Sequence, residues 1–227
     1  GEDLLPRSET AEIVPTGIGN LSPAGEDFVF VGTTKGPPPQ RFDMGAPLTA
    51  NNQPRNGDYD GFATGIHFPQ TRPSFINERN IRFQSIESNP YLDDYAHGLC
   101  LPPPGPDGTI KSYYVIGSSF GTMPPGNDQK EITTNILSGL NELEDGNKVN
   151  RLSAWISKID TTRKNEKSIV WTTQLFATLD NKTLEGGKTE AFGCHVIDQD
   201  ESKIYFAGTV YNGGTMDSNQ KSGGGDD

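Results

Sequence analysis

Apolar residues along this chain come in short runs separated by polar, turn-rich stretches. Between Leu152 and Gly213 there are four: LSAWISKID, SIVWTTQLF, AFGCHVID and KIYFAGTVYNG. In the first, Leu152, Ala154, Ile156, Lys158 and Asp160 alternate with Ser153, Trp155, Ser157 and Ile159. A period of two with both sides partly apolar predicts a strand packed between neighbouring sheets. SIVWTTQLF and KIYFAGTVY carry the β-branched and aromatic residues that suit a pleated surface. The polar DQDESK that follows the AFGCHVI run predicts a hairpin turn. One stretch departs from this pattern. In KEITTNILSGLNELEDG, Ile132, Ile136, Leu140 and Leu143 fall on one face of a helix and Gly146 is placed to end it, predicting about three turns.

The runs repeat. FVFVGTTKG, YYVIGSSFG and IYFAGTVYNG share an aromatic-rich start, small or branched apolar residues, then Gly. Gly32, Gly117 and Gly208 recur at intervals of about 85 to 95 residues, as do Ala11, Ala96 and Ala191, Phe62 and Trp155, and Phe83 and Trp171. This period predicts four-stranded units. The first has strands at Ala11–Pro15, Phe28–Thr34, Gly61–Phe68 and Asn80–Ile86; the second at Ala96–Leu101, Tyr113–Ser119, Leu152–Asp160 and Ser168–Phe176. The third has only Ala191–Asp198 and Lys203–Val210. The units span about 9–86, 87–176 and 190–210 within a segment 1–213, and 214–227 is a Gly/Ser/Asp tail expected to be flexible. The expected fold is all-β: a β-propeller-like array of about two and a half four-stranded antiparallel blades with one inserted helix. A β-sandwich is the alternative. Two and a half blades do not close a ring and would leave apolar faces bare, so the chain is expected to be a fragment of a longer array; pairing with other chains and an open array stabilised by its insertions are the alternatives.

Composition agrees with a turn-rich β fold: of 227 residues 27 are Gly and 17 Pro, and only 32% are hydrophobic. The net charge of −11 argues against nucleic acid and anionic membranes as partners, which need clustered Lys and Arg. No apolar run approaches membrane-spanning length, and GEDLLPRSET lacks a signal-peptide pattern. Two cysteines, Cys100 and Cys194, are too few for a disulfide framework and leave free, bridged and metal-bound states open. Asn20-Leu21-Ser22 and Asn181-Lys182-Thr183 fit the glycosylation acceptor pattern, a slight pointer to an extracellular or secretory setting.

YFAGTVYNGG, and VIGSSFGTM followed by a long loop, LSAWISKID, a polar turn and SIVWTTQL, resemble the bacterial seven-bladed β-propeller repeat family. NGDYDGFATGIH matches the third element of that repeat through Asp60, Gly61 and Phe62. The resemblance covers Ala11 to Gly213 in pieces and implies blade packing rather than chemistry. Asp160-Thr161 and Trp171 also resemble the turn of a quinoprotein dehydrogenase blade, without its Gly and with longer spacing.

In such an array the loops joining second to third strands and fourth to first strands emerge together. They are the longer set, and long loops on a rigid scaffold are where binding concentrates. The candidate binding residues there are Arg55, Asp58, Tyr59, Asp93, Asp94 and Tyr95. His97-x-x-Cys100 and Cys194-His195 hold zinc-ligand chemistry, but neighbouring strand residues point to opposite faces, so no metal and no cofactor is expected. No Gly-x-Ser-x-Gly, His-Glu-x-x-His or phosphate-loop pattern is present. The expected function is a non-catalytic scaffold that binds a protein or glycan, or further blades of the same assembly. The alternative is part of a propeller enzyme, either a hydrolase or a quinoprotein-type dehydrogenase.

Overall fold

The computed structural model describes residues 12–35, 59–68, 74–86, 92–131, 133–134, 152–175, 189–198, 201 and 203–210. These form an all-β fold of three sheets, antiparallel except for one two-residue strand, that stack in chain order. The first sheet is a meander of β1 (Glu12–Asn20), β2 (Asp27–Lys35), β3 (Asp60–His67) and β4 (Ser74–Phe83). The second runs β5 (Asp94–Cys100), β6 (Ser112–Ser119), β8 (Ser153–Asp160) and β9 (Ile169–Leu175), with β7 (Thr133–Thr134) added parallel to β9. The third is the hairpin of β10 (Thr189–Val196) and β11 (Ile204–Val210). Each expected strand is therefore present, but Thr133 and Thr134 extend a sheet where the spacing predicts a helix. The rest of that span, Ile132 and 135–146, lies outside the described residues.

The middle sheet is apolar on both sides because its strands alternate. Tyr113, Val115, Trp155 and Ile159 face a first core shared with Val31 and Phe83 of the first sheet. Tyr114, Ile116, Ala154 and Ile156 face a second core shared with Ala191 and Val196 of the third. The Phe83 and Trp155 rings stack at 4.9 Å across the first junction. One backbone bond recurs at both junctions: Asp94 N donates to Tyr59 O at 2.9 Å, and Thr189 N to Leu152 O at 3.0 Å.

The repeat has a local cause. The first strand of every sheet carries a bulge, at Pro15-Thr16-Gly17, Ala96-His97-Gly98 and Ala191-Phe192-Gly193, opposite Gly32, Gly117 and Gly208 respectively. A β-carbon on those three opposing glycines would collide with the carbonyl oxygens of Val14, Tyr95 and Glu190. On their other side Gly32 and Gly117 pair with Phe62 and Trp155, whose rings fill the space a side chain would take. The intervals at Gly32, Gly117, Gly208 and at Phe62, Trp155 thus mark equivalent positions. Two other landmarks do not. The counterpart of Ala96 and Ala191 is Pro15 rather than Ala11, which lies outside the described residues. Phe83 pairs with Gly61 as Leu175 pairs with Ala154, so Leu175 and not Trp171 is its equivalent.

Gly117→Ala should lower the unfolding free energy by about 1–3 kcal/mol, as overpacking does. At Gly193 an added carbon meets nothing within 4 Å, so Gly193→Ala should leave stability unchanged or slightly raised. Urea-unfolding midpoints of the two variants distinguish these; equal losses would show that the bulge is not what demands glycine.

Candidate functional site

Tyr59 immediately precedes β3 and Asp93 immediately precedes β5, so the register of the first two sheets brings them to the same end of the stack. Tyr59 N donates to Asp93 Oδ1 at 3.1 Å, and the Tyr95 hydroxyl donates to Asp93 Oδ2 at 3.0 Å. Asp93 thereby bridges two strands. The rings form a continuous strip: Tyr59 on Tyr95 at 6.0 Å, Tyr95 on His97 at 5.9 Å, and His97 on Phe192 at 5.5 Å. Lys35 Nζ lies 5.8 Å from the Tyr59 centroid, within cation–π range. His97 and Phe192 are the bulge residues of their strands, which turns their side chains out of the strand alternation and into line. Phe192 is 51% exposed, while Tyr95 and His97 are half-buried. Burial, then the bond to Asp93, raises the Tyr95 phenol above its ordinary value. Burial pulls His97 below its ordinary value against the opposing pull of Glu190, and its Nε2 lies 2.5 Å from Ser118 Oγ.

No protein-family model and no curated protein matches this chain.

Of the residues the sequence points to, Tyr59, Asp93 and Tyr95 come together at this end, and Arg55 and Asp58 lie outside the described residues. Asp94 takes a different place. It is fully buried at the junction of the first two sheets, where its carboxylate accepts hydrogen bonds from Ser119 Oγ and, at 2.7 Å, from Ser85 N. Burial pushes its pKa up to about 7, outweighing the bonds from Ser119 and Ser85; nearby Asp60 adds to the rise. Asp60, also buried, faces Arg82 Nε at 3.2 Å. The corresponding positions in the second sheet are neutral: Gln174 Nε2 donates to Ser153 Oγ at 2.6 Å and to Gly121 O at 2.7 Å, and its Oε1 accepts from Met123 N at 3.0 Å. Lys35 and Phe192 are not among the residues the sequence singles out, and His97 enters there only as a candidate zinc ligand. The signal that finds His97 and Phe192 is the recurring small-x-Gly of the first strands, whose middle residue is the bulge.

Cys100 and Cys194 are joined in a disulfide across the second junction, with Cα atoms 5.7 Å apart. Their sulfurs are therefore not metal ligands, and among the described residues no three His, Cys, Asp or Glu side chains gather as a metal site. Closing a loop of 94 residues stabilises by about 4–5 kcal/mol in the chain-entropy view. The β10–β11 turn adds a polar anchor at the same junction. Glu201, at φ 56°, accepts from Ser112 Oγ and the Tyr114 hydroxyl and pairs with Lys158 Nζ at 2.5 Å. Burial pushes Glu201 up, but these three partners prevail and its pKa lies below the usual carboxylate value. Asp198, read from sequence as turn, accepts Glu201 N at 3.0 Å.

Because Asp94 is raised from 3.8 to about 7 on folding, the folded chain binds the extra proton between those values. Its contribution to stability is complete below about pH 4 and is lost as pH rises through 7. Asp94→Asn should flatten the fall of the urea midpoint between pH 4 and 7; an unchanged slope would show that Asp94 does not titrate there.

Proposed function

We propose that this chain is a non-catalytic, propeller-type scaffold that binds a protein or glycan at the loop-bearing end of its sheets. The observation that carries the reading is the strip Tyr59, Tyr95, His97, Phe192, four rings in line from three sheets with Lys35 at one end. Aromatic faces beside Asp93 and Lys35 suit sugar rings or aromatic side chains, which stack on the faces and hydrogen-bond at the edges. The propeller part of the proposal rests on the resemblance to the bacterial blade repeat, on the equivalent bulges and on the inter-sheet bond that recurs at both junctions. The disulfide supports an oxidising, secretory or extracellular compartment.

The test is retention of the full chain on immobilised oligosaccharide and peptide arrays. Phe192→Ala, an exposed position that leaves the core intact, should weaken retention about tenfold, the equivalent of one lost ring contact of about 1.4 kcal/mol. Asp93→Ala should weaken it further, with circular dichroism unchanged. Retention indifferent to both substitutions would remove the loop-end strip from the binding role.

A further inference from the structure

The two ends of the stack are unlike each other, and each is what the other lacks. At every junction the residue after the second bulge glycine points back to the preceding sheet. Leu99 does so over Gly17 and Gly19, and Cys194 does so to reach Cys100. The receiving surface is likewise repeated: Val29 and Val31 of β2 line the first core, and Tyr114 and Ile116 of β6 line the second. On the first sheet the pointing residue is Ile18, and no sheet among the described residues precedes it; Ile18 is 60% exposed and Ile13 beside it 41%. On the third sheet the receiving positions are Gly193, Tyr205 and Ala207, also uncovered. Tyr205 is 57% exposed, and a carbon added to Gly193 meets nothing, whereas one added to Gly17 comes within 2.9 Å of Leu99.

We propose that a second copy of this chain docks head to tail on the first, the outer face of its β1 on the third sheet of its neighbour; on β3 the same face is already covered, with Phe62 and Thr64 fully buried. Ile18 of one copy sits over Gly193 of the other as Leu99 sits over Gly17, and Pro15 meets Thr209 as Ala96 meets Thr33. The contact continues an interface that the chain already makes twice within itself. It is heterologous, so every copy keeps one free face of each kind until the series closes. It does not depend on the ligand reading of the loop end.

The experiment is light scattering of the full chain across a dilution series, for the parent and for Ile18→Asp, Gly193→Leu and Tyr205→Glu. The parent should associate reversibly. Each variant should weaken association at least about thirtyfold, as loss of a central apolar contact does, while keeping the parent circular dichroism. Mixing I18D with G193L, or with Y205E should G193L fail to fold, pairs one intact front with one intact rear and should give a one-to-one dimer and nothing larger. A parent that stays monomeric, association that survives the substitutions, as pairing through the β11 edge would, or folded variants that fail to complement each other would each overturn the proposal.

Discussion

The structure depends on one close approach, between the bulged first strand of each sheet and the glycine opposite it. The bulge pushes a carbonyl oxygen toward the second strand, and only a residue without a side chain leaves it room at Gly32, Gly117 and Gly208. The vacant side of the glycine is then filled by a large ring from the third strand in the two sheets that have one, Phe62 and Trp155. The pairing of the first three strands at this level and the placement of Phe62 and Trp155 follow from this single steric condition. It also explains why the bulge residues differ in type, as Thr16, His97 and Phe192. They lie off the constrained contact and find different partners: Thr16 Oγ1 donates to Ala96 O across the first junction at 2.9 Å, and His97 lies against Tyr95 and Phe192.

The middle sheet shows what the stack does with polar groups. Its strands have no solvated side, so the chain buries hydroxyls, an amide and a carboxyl in it. Ser153 and Gln174 satisfy one another and the turn at Gly121–Met123. Asp94 instead takes a half share in each of two sheets, accepting from Ser119 beside it and from Ser85 across the junction. A buried carboxyl at such a seam costs stability when ionised but fixes the relative position of the sheets, because no other placement supplies both donors.

Much of the fold was legible in the sequence because strands buried on both sides leave short apolar runs bounded by turn residues, as around Ser153–Asp160. Register was less legible. On β1, Ile13 and Ile18 face one way and Val14 the other, yet all three are exposed, so burial gives the alternation no phase; the place of Ala96 there falls to Pro15, which composition alone does not reveal. Aromatic identity does not align Phe83 with Trp171, because the position that pairs as Phe83 does carries an aliphatic residue, Leu175. The helical spacing beginning at Ile132 gave way at Thr133 and Thr134, two β-branched residues beside an open sheet edge. The site was half legible. Tyr59, Asp93 and Tyr95 flank strand starts and could be placed by loop topology, whereas His97 and Phe192 join them through bulges, which no hydrophobic period reports. The cysteine pairing needed the same knowledge: Cys194 follows Gly193 as Leu99 follows Gly98, and so points at the strand that carries Cys100.

The disulfide also determines how the chain would carry a mechanical load. The covalent path from β11 toward β1 passes from Cys194 straight to Cys100, so residues 101–193, with most of the middle sheet, hang from it as a slack side loop. A pull along the chain would strip the β10–β11 hairpin beyond Cys194 and draw out the first sheet, yet exert no direct tension on β6, β8 and β9. Under force the middle sheet is the sheltered part, and cutting the sulfur bridge would bring it into the line of tension.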